Sequence, residues 1–333
     1  MNNPHIEDLT IENFKCFKHL EVNNIGRVNL IGGKNNVGKT AFLEAVEVYY
    51  ALFKDISGFS LLRTTYNIFK RRHDVNDIND FRTDFIFNNT SEIKMKSSNK
   101  DIVFLLKVEE NPKSITSLVN HKFTASIPLQ FIETDEKFNP LKKETDLIYI
   151  YPSKINQKQI AIFYSALIER RMKFFLDKSL NLFDSNILSL EQIMTEKGVS
   201  LKLELKNREN LVLLSSLGEG INRYIAILCA IWASKDSVLL IDEIENGIHY
   251  TNYKKLWQII FQASIDANCQ LFITTHSKEC ISAFNEVQFE NQQCNAQYFE
   301  FYKNLKTDLI TAADIDKDEL LYCLTNNRGI RGE

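Results

Sequence analysis

The sequence predicts an α/β fold in which buried, mostly parallel strands alternate with amphipathic helices. A β-rich lobe and a helical arm are inserted between its two halves. Three observations predict it. Apolar runs at 27–31, 238–241 and 270–274 are short and β-branched enough to be fully buried strands, and helical patterns separate them. The first run leads straight into Gly33, Lys34, Asn35, Asn36, Val37, Gly38, Lys39 and Thr40, which match GxxxxGK[ST] between strand and helix. The second ends in Asp242 and Glu243, two acids delivered to one edge of the sheet.

Taken in order, residues 6–17 alternate Leu9, Ile11 and Phe14 as a strand does, and a second short strand follows through Leu20 and Val22. After the glycine loop, Phe42, Leu43, Val46, Tyr49, Tyr50 and Phe53 recur at helical spacing. Residues 54–156 change character. Short β-like runs at 102–108, 131–133 and 147–151 sit among Asn, Asp, Lys and Ser, the pattern of an inserted β-rich lobe. Ile160, Phe163, Leu167, Met172, Phe175, Leu176, Leu180 and Phe183 then give residues 157–190 one apolar side, expected as a helical arm reaching to about 198. Strands return at 199–205 and 211–214, followed by helix 220–233, strand 238–241, helix 250–267 and strand 270–274. The expected head is therefore discontinuous, 1–53 joined to 199–333, and the end of the chain is too short for another full domain.

Composition bounds the partners. With 40 Lys and Arg against 43 Asp and Glu, the net charge of −3 supplies no bulk attraction to nucleic acid, so any such contact needs a local patch. Two short clusters qualify by type: Lys70, Arg71, Arg72, His73, and Arg170, Arg171, Lys173. The six cysteines are scattered without a CxxC pair and read as free thiols of a reducing compartment. The longest apolar run, 224–233, is too short to span a bilayer, so a cytoplasmic chain without a membrane partner is expected.

The chemistry follows from residue types. Glycines let backbone amides close around phosphates, and the helix opened by Thr40 and Ala41 adds its positive end. Lys39 neutralises the β- and γ-phosphates, before and during their separation, while Thr40 offers a hydroxyl to Mg²⁺. Asp242 suits the acid that holds Mg²⁺, and Glu243 is placed to orient and polarise an attacking water. ATP and Mg²⁺ are the expected cofactors. Downstream, the strand at 270–274 ends in Thr274, Thr275, His276 and Ser277, where His276 can sense the terminal phosphate.

Ser216, Leu217, Gly218, Glu219 and Gly220 precede the apolar helix before Asp242, and here the sequence resembles ABC-type P-loop ATPases of the SMC/RecF/OLD-like group. The order of glycine loop, signature, acids and switch histidine is the order of that group. The segment 11–17 is similar to the N-terminal strand of RecF- and OLD-type ATPases, and by that resemblance Lys15 approaches the nucleotide. Residues 245–249 likewise resemble the segment after the acids, which puts Asn246 near a dimer seam. Leu217 stands where transporter ATPases have glycine.

The resemblance implies an ABC-type head that hydrolyses ATP slowly and only when paired. Ser216, Gly218 and Glu219 of one copy would complete the nucleotide site of another in a homodimer, with room for higher assembly. It further implies a role like that of the OLD, Septu and PARIS ATPase subunits in anti-phage defence, with a separate nuclease or toxin as effector. A RecF-like DNA-binding repair clamp is the alternative. A transporter subunit fits worse, given the signature and the long insertion.

Overall fold

A computed structural model describes residues 5–56, 58–72, 93–98, 100–110, 113–128, 147–152, 155–196, 198–326 and 330. His73 and the run at 131–133 lie outside them. Strands β1 (Leu9–Phe14) and β2 (Phe17–Val22) form an antiparallel hairpin, and β3 (Val28–Gly33) leads into helices α1 (Lys39–Lys54) and α2 (Gly58–Arg72). An antiparallel series follows: β4 (Ile93–Ser97), β5 (Lys100–Glu110), β6 (Lys113–Val119) and β7 (Lys122–Pro128). Then come β8 (Ile148–Ile150), α3 (Gln157–Glu169) and α4 (Lys173–Phe183). The meander β9 (Ile187–Thr195), β10 (Gly198–Leu205) and β11 (Val212–Leu213) makes a small sheet of its own. The chain continues as α5 (Glu219–Ala233), β12 (Val238–Ile241), α6 (Tyr253–Asp266), β13 (Gln270–Thr274) and α7 (Lys278–Glu290). It closes with β14 (Ala296–Lys303), β15 (Ile310–Ile315) and α8 (Lys317–Thr325).

The central sheet runs β15-β14-β3-β13-β12-β8, parallel except for the β15 edge. Its middle strands are covered on both faces, which is why they read as unbroken apolar runs. Period-two alternation divides their side chains between two cores. Val238, Leu240 and Phe272 face α1 and the antiparallel sheet, while Leu239, Ile241, Leu271 and Ile273 face α5 and α6. Helix α1 is thus buried between two sheets. Phe42 fixes it by edge-on contacts to Phe272 at 6.1 Å and Phe301 at 5.3 Å, each pair worth about 0.5–1.5 kcal/mol beyond burial. At the N-terminal side the buried Gln270 carboxamide accepts from the Ile6 amide and donates to the Ile6 and Gly26 carbonyls, all at 2.8 Å. That pins the segment leading into the hairpin to the central sheet.

The structure draws the boundaries differently from the sequence. The second six-stranded sheet runs β2-β1-β4-β5-β6-β7, so the strands expected as an insertion extend the N-terminal hairpin, with Ile11 opposite Met95. Strand β8, expected in the same lobe, is instead the edge of the central sheet, with Ile150 opposite Ile241.

Residues 157–190 are not one projecting arm. Asn156 and Gln159 form a reciprocal capping box that starts α3, and Arg171 at φ 59 breaks the helical run before α4. Both helices lay their apolar sides on α5. Ile160, Leu167, Leu176 and Leu180 share a core with Tyr224 and Trp232; Phe183 stacks on Tyr224 and Phe175 on Trp232, at 3.6 and 5.2 Å between rings. The apolar side expected of an arm is packed against α5 of the same chain. Among the described residues no helix is long and apolar enough to cross a membrane.

Candidate nucleotide site

The glycine loop lies where β3 ends at the carboxyl edge of the parallel strands, the usual ligand edge of such sheets. Two of its glycines are irreplaceable on steric grounds. Gly33 has φ 129 and an added Cβ would fall 2.3 Å from the Phe301 carbonyl; Gly38 has φ 81 and a Cβ there would meet Cys16 Sγ at 2.7 Å. Gly38 caps α1 without any side-chain bond to the helix amides and no acid occupies the first turn, which leaves that end suited to an anion. Lys34, Asn35, Asn36 and Val37 line a cavity of about 1020 Å³ against Glu300–Lys306 of the β14–β15 hairpin. Ala41 is buried behind the loop.

Lys39 is buried, and its ammonium donates to the carbonyls of Gly33 at 2.6 Å and Lys34 at 2.7 Å. Burial brings its pKa down to about 8, against the pull of Glu300, Asp242, Glu245 and Glu243. Phosphate selects the charged ammonium, so above about pH 8 nucleotide binding must be accompanied by proton uptake. Affinity measured calorimetrically in EDTA should therefore hold steady up to about pH 7.5 and then fall by as much as about tenfold per pH unit. A level profile to about pH 9 would contradict the role given to Lys39.

Asp242, at the end of β12, gathers three hydroxyls. Thr274 donates to Oδ1, while Thr40 donates to Oδ2 at 2.9 Å and Tyr149 at 3.4 Å. Burial pushes the Asp242 carboxyl up, and the Thr274 and Thr40 hydroxyls pull it back towards ionisation. Thr40 and Asp242 are hard oxygen donors in contact, a set that fits Mg²⁺, which takes few protein ligands beside phosphate oxygens and water.

Glu243 has φ 50, an unusual left-handed conformation for a glutamate. Its amide donates to Thr274 Oγ1 at 2.8 Å, Asn246 Nδ2 donates to its Oε2 at 2.7 Å, and His276 Nε2 stands 3.6 Å from Oε1. Burial, aided by Lys39, holds the His276 imidazole below its ordinary pKa, against the pull of Glu243, Glu245 and Asp242. Glu245 fixes the histidine segment by accepting from the His276 amide at 2.6 Å and Thr275 Oγ1 at 2.8 Å.

The structure thus brings Lys39, Thr40, Asp242, Glu243 and His276 together. Lys15 lies beside the loop with its ammonium 2.9 Å from Glu44, one turn beyond Thr40 on α1. Ser216 sits in a short 3₁₀ turn, Gly218 caps α5, and Asn222 closes the turn by donating to the Leu217 and Gly218 carbonyls. Leu217 and Glu219 line a separate cavity of about 270 Å³ with Pro152, Gln157, Asn246 and Gly247. Gly220 touches the segment after the acids: a Cβ there would be 2.5 Å from the Gly247 carbonyl. Gly220→Ala is expected to cost about 1–3 kcal/mol, read as a lowered denaturation midpoint, and to reduce hydrolysis more than ATP binding.

Sequence reasoning missed Arg223, which is buried in α5 and donates to the carbonyls of Tyr151, Asp242 and Glu243 at 2.6, 2.9 and 3.0 Å. It ties the signature helix to the acids. The signal was a lone arginine at the start of an otherwise apolar helical run. Of the two basic clusters, Arg170 donates to the Lys235 carbonyl and Lys173 pairs with Asp177 and Glu191 at 2.8 and 2.9 Å.

Fold and site together define a P-loop ATPase head of the ABC/SMC-like kind. The chain superposes on the SmcHead bound to the C-winged helix domain of ScpA with a TM-score of 0.57, 12% identity, and coverage of 96% of this chain and 100% of that one. The Pyrococcus furiosus Smc head domain with an extended coiled coil, bound to the C-terminal domain of ScpA, gives 0.54, 12%, 97% and 99%. Within that class, residues 28–282 match the family model described as "AAA domain, putative AbiEii toxin, Type IV TA system", and the chain belongs to this AAA domain family. It is 26% identical to the ATP/GTP phosphatase of Helicobacter pylori across 85% of this chain and 88% of that protein. A stretch of 42 residues is 48% identical to the DNA replication and repair protein RecF of Nitrosococcus oceani, covering 13% of this chain and 12% of RecF.

Proposed function

We propose that the chain binds ATP with Mg²⁺ and hydrolyses it slowly, in a site that a second copy completes. We further propose that it is the sensing or regulatory subunit of a prokaryotic anti-phage system acting through a separate nuclease or toxin. One observation carries the ATPase chemistry: Thr40 of the loop and Thr274 of the histidine strand both donate to Asp242, while Glu243 stands next to His276 with Asn246 on its other oxygen. Lys39 and the α1 amides hold the phosphates, Thr40 and Asp242 hold the metal, and Glu243 orients and polarises the water. The water oxygen attacks the γ-phosphorus as the bond to the β–γ bridging oxygen breaks, giving ADP and phosphate. Mg²⁺, when bound, neutralises charge on the β- and γ-oxygens. His276 would be a hydrogen-bond partner for the terminal phosphate, and Lys15, paired with Glu44 one turn beyond Thr40, would approach the nucleotide from that side.

The composite site draws support from the motif resemblance; Leu217 and Glu219 line a cavity that shares no residue with the one beside the loop. Ser216, Gly218 and the uncapped end of α5 would face the γ-phosphate held by the other copy. The decisive test mixes Lys39→Ala with Ser216→Arg, each inactive alone. Equal mixing should restore about a quarter of wild-type turnover, because half the dimers carry one intact site of two. No recovery would contradict a shared site.

The defence role draws support from the toxin–antitoxin wording of the family description and from the motif resemblance. The short RecF match favours one second reading, an ATP-driven DNA clamp. That reading requires ATP-dependent duplex binding that weakens steeply with salt; no such binding at low salt removes it.

A further inference from the structure

The acid end of β12 is gripped from a direction that the hydrolytic chemistry does not use. Tyr149 and Tyr151, two apart at the end of β8, stack on one another with ring centres 4.5 Å apart. The Arg71 guanidinium, near the end of α2, lies over both rings at 4.7 and 5.0 Å. Arg71 also donates to both Glu47 oxygens on α1 and to the Tyr151 hydroxyl. Tyr149 spends its own hydroxyl on Asp242 Oδ2 at 3.4 Å, the oxygen that also accepts from Thr40. On the other side Arg223 holds the Tyr151 and Asp242 carbonyls, and the Asp242 amide donates to the Ile150 carbonyl at 2.9 Å. Arg71 of α2 therefore lies on the aromatic pair while Arg223 of α5 holds the backbone beside it; of the two hydroxyls, that of Tyr151 accepts from Arg71 and that of Tyr149 donates to the Asp242 carboxylate.

We propose that Tyr149 is a positioning residue for Asp242, and that Arg71, through its planar contact with the Tyr149–Tyr151 pair, sets how firmly the site holds its divalent cation. This rests on the reading of Thr40 and Asp242 as the Mg²⁺ position. A phenol hydrogen bond to one carboxylate oxygen restricts the rotation of the carboxylate and leaves the metal a pre-oriented ligand; partners of this kind tune metal affinity about 10–100-fold. Arg71 is the means of holding the ring. Its stacked, bidentate geometry cannot be reproduced by lysine. Because α2 packs against α1, β6 and β7, the antiparallel sheet has through Arg71 a direct mechanical connection to the metal site.

The test measures the Mg²⁺ concentration needed for half-maximal binding of a fluorescent ATP analogue, alongside binding of the same analogue in EDTA and the thermal midpoint of the protein alone. Tyr149→Phe keeps the ring and removes only the hydroxyl. It should raise the Mg²⁺ midpoint about tenfold while leaving EDTA binding and the thermal midpoint at wild-type values. Arg71→Gln is made together with Glu47→Gln so that no buried carboxylate is stranded. This pair should reproduce the shift, and adding Tyr149→Phe to it should shift the midpoint no further. A Tyr149→Phe midpoint within about twofold of wild type, an equal loss of binding in EDTA, or additive shifts in the triple variant would overturn the proposal. If wild-type protein bound the analogue with no response to Mg²⁺ at all, the metal-site reading itself would fall, a different result from any of these.

Discussion

Lys39→Ala is expected to abolish nucleotide binding while leaving the fold in place. The ammonium already donates to the loop, to the carbonyls of Gly33 and Lys34. In the proposed nucleotide complex those donors would turn to the β- and γ-phosphates. Two charge-assisted hydrogen bonds at about 1.5–3 kcal/mol each correspond to a loss of about 10²–10⁴ in affinity. The fold should tolerate the change because burying that ammonium is unfavourable, as its lowered pKa shows, so alanine removes a cost together with the contacts. Calorimetry against ATP and a thermal melt without nucleotide check both halves. Retained micromolar binding would remove Lys39 from the site.

Glu243→Gln should separate binding from turnover. Glutamine keeps the volume and one oxygen, so ATP should bind with unchanged affinity. The carboxylate that polarises water is lost, and hydrolysis is expected to fall by about 10²–10⁴. The left-handed backbone at Glu243 is no harder for glutamine than for glutamate, so stability should move by less than about 0.5 kcal/mol. Single-turnover hydrolysis of prebound ATP reads the effect directly, and a rate equal to wild type would assign the water to another residue.

The chemistry of the loop was readable because local pattern specifies it. A glycine frame, a lysine and a threonine between strand and helix can be recognised without the rest of the chain, and the structure places them on Asp242 through Thr40. The same holds for His276 beside Glu243. What was not readable depends on which distant strands meet. Nothing in residues 93–128 states that β4 pairs with β1, or in Ile148–Ile150 that three residues form the edge of the central sheet rather than part of a lobe. The 157–190 stripe had the right periodicity for a helix with one apolar side. The break at Arg171 is a single left-handed residue, and the surface the stripe covers belongs to α5, more than 30 positions away in sequence. Arg223 and Tyr149 were missed for a related reason: each acts by reaching a carbonyl or carboxylate that only the folded sheet brings near.

The central claim is that one chain carries half of each nucleotide site. It is tested most directly by the solution mass of the Glu243→Gln protein, measured by light scattering with and without ATP and Mg²⁺. A composite site predicts a chain mass of 38.7 kDa without nucleotide and twice that value with it, reversed by adding Ser216→Arg. Full ATP occupancy with the mass unchanged at 38.7 kDa would contradict it.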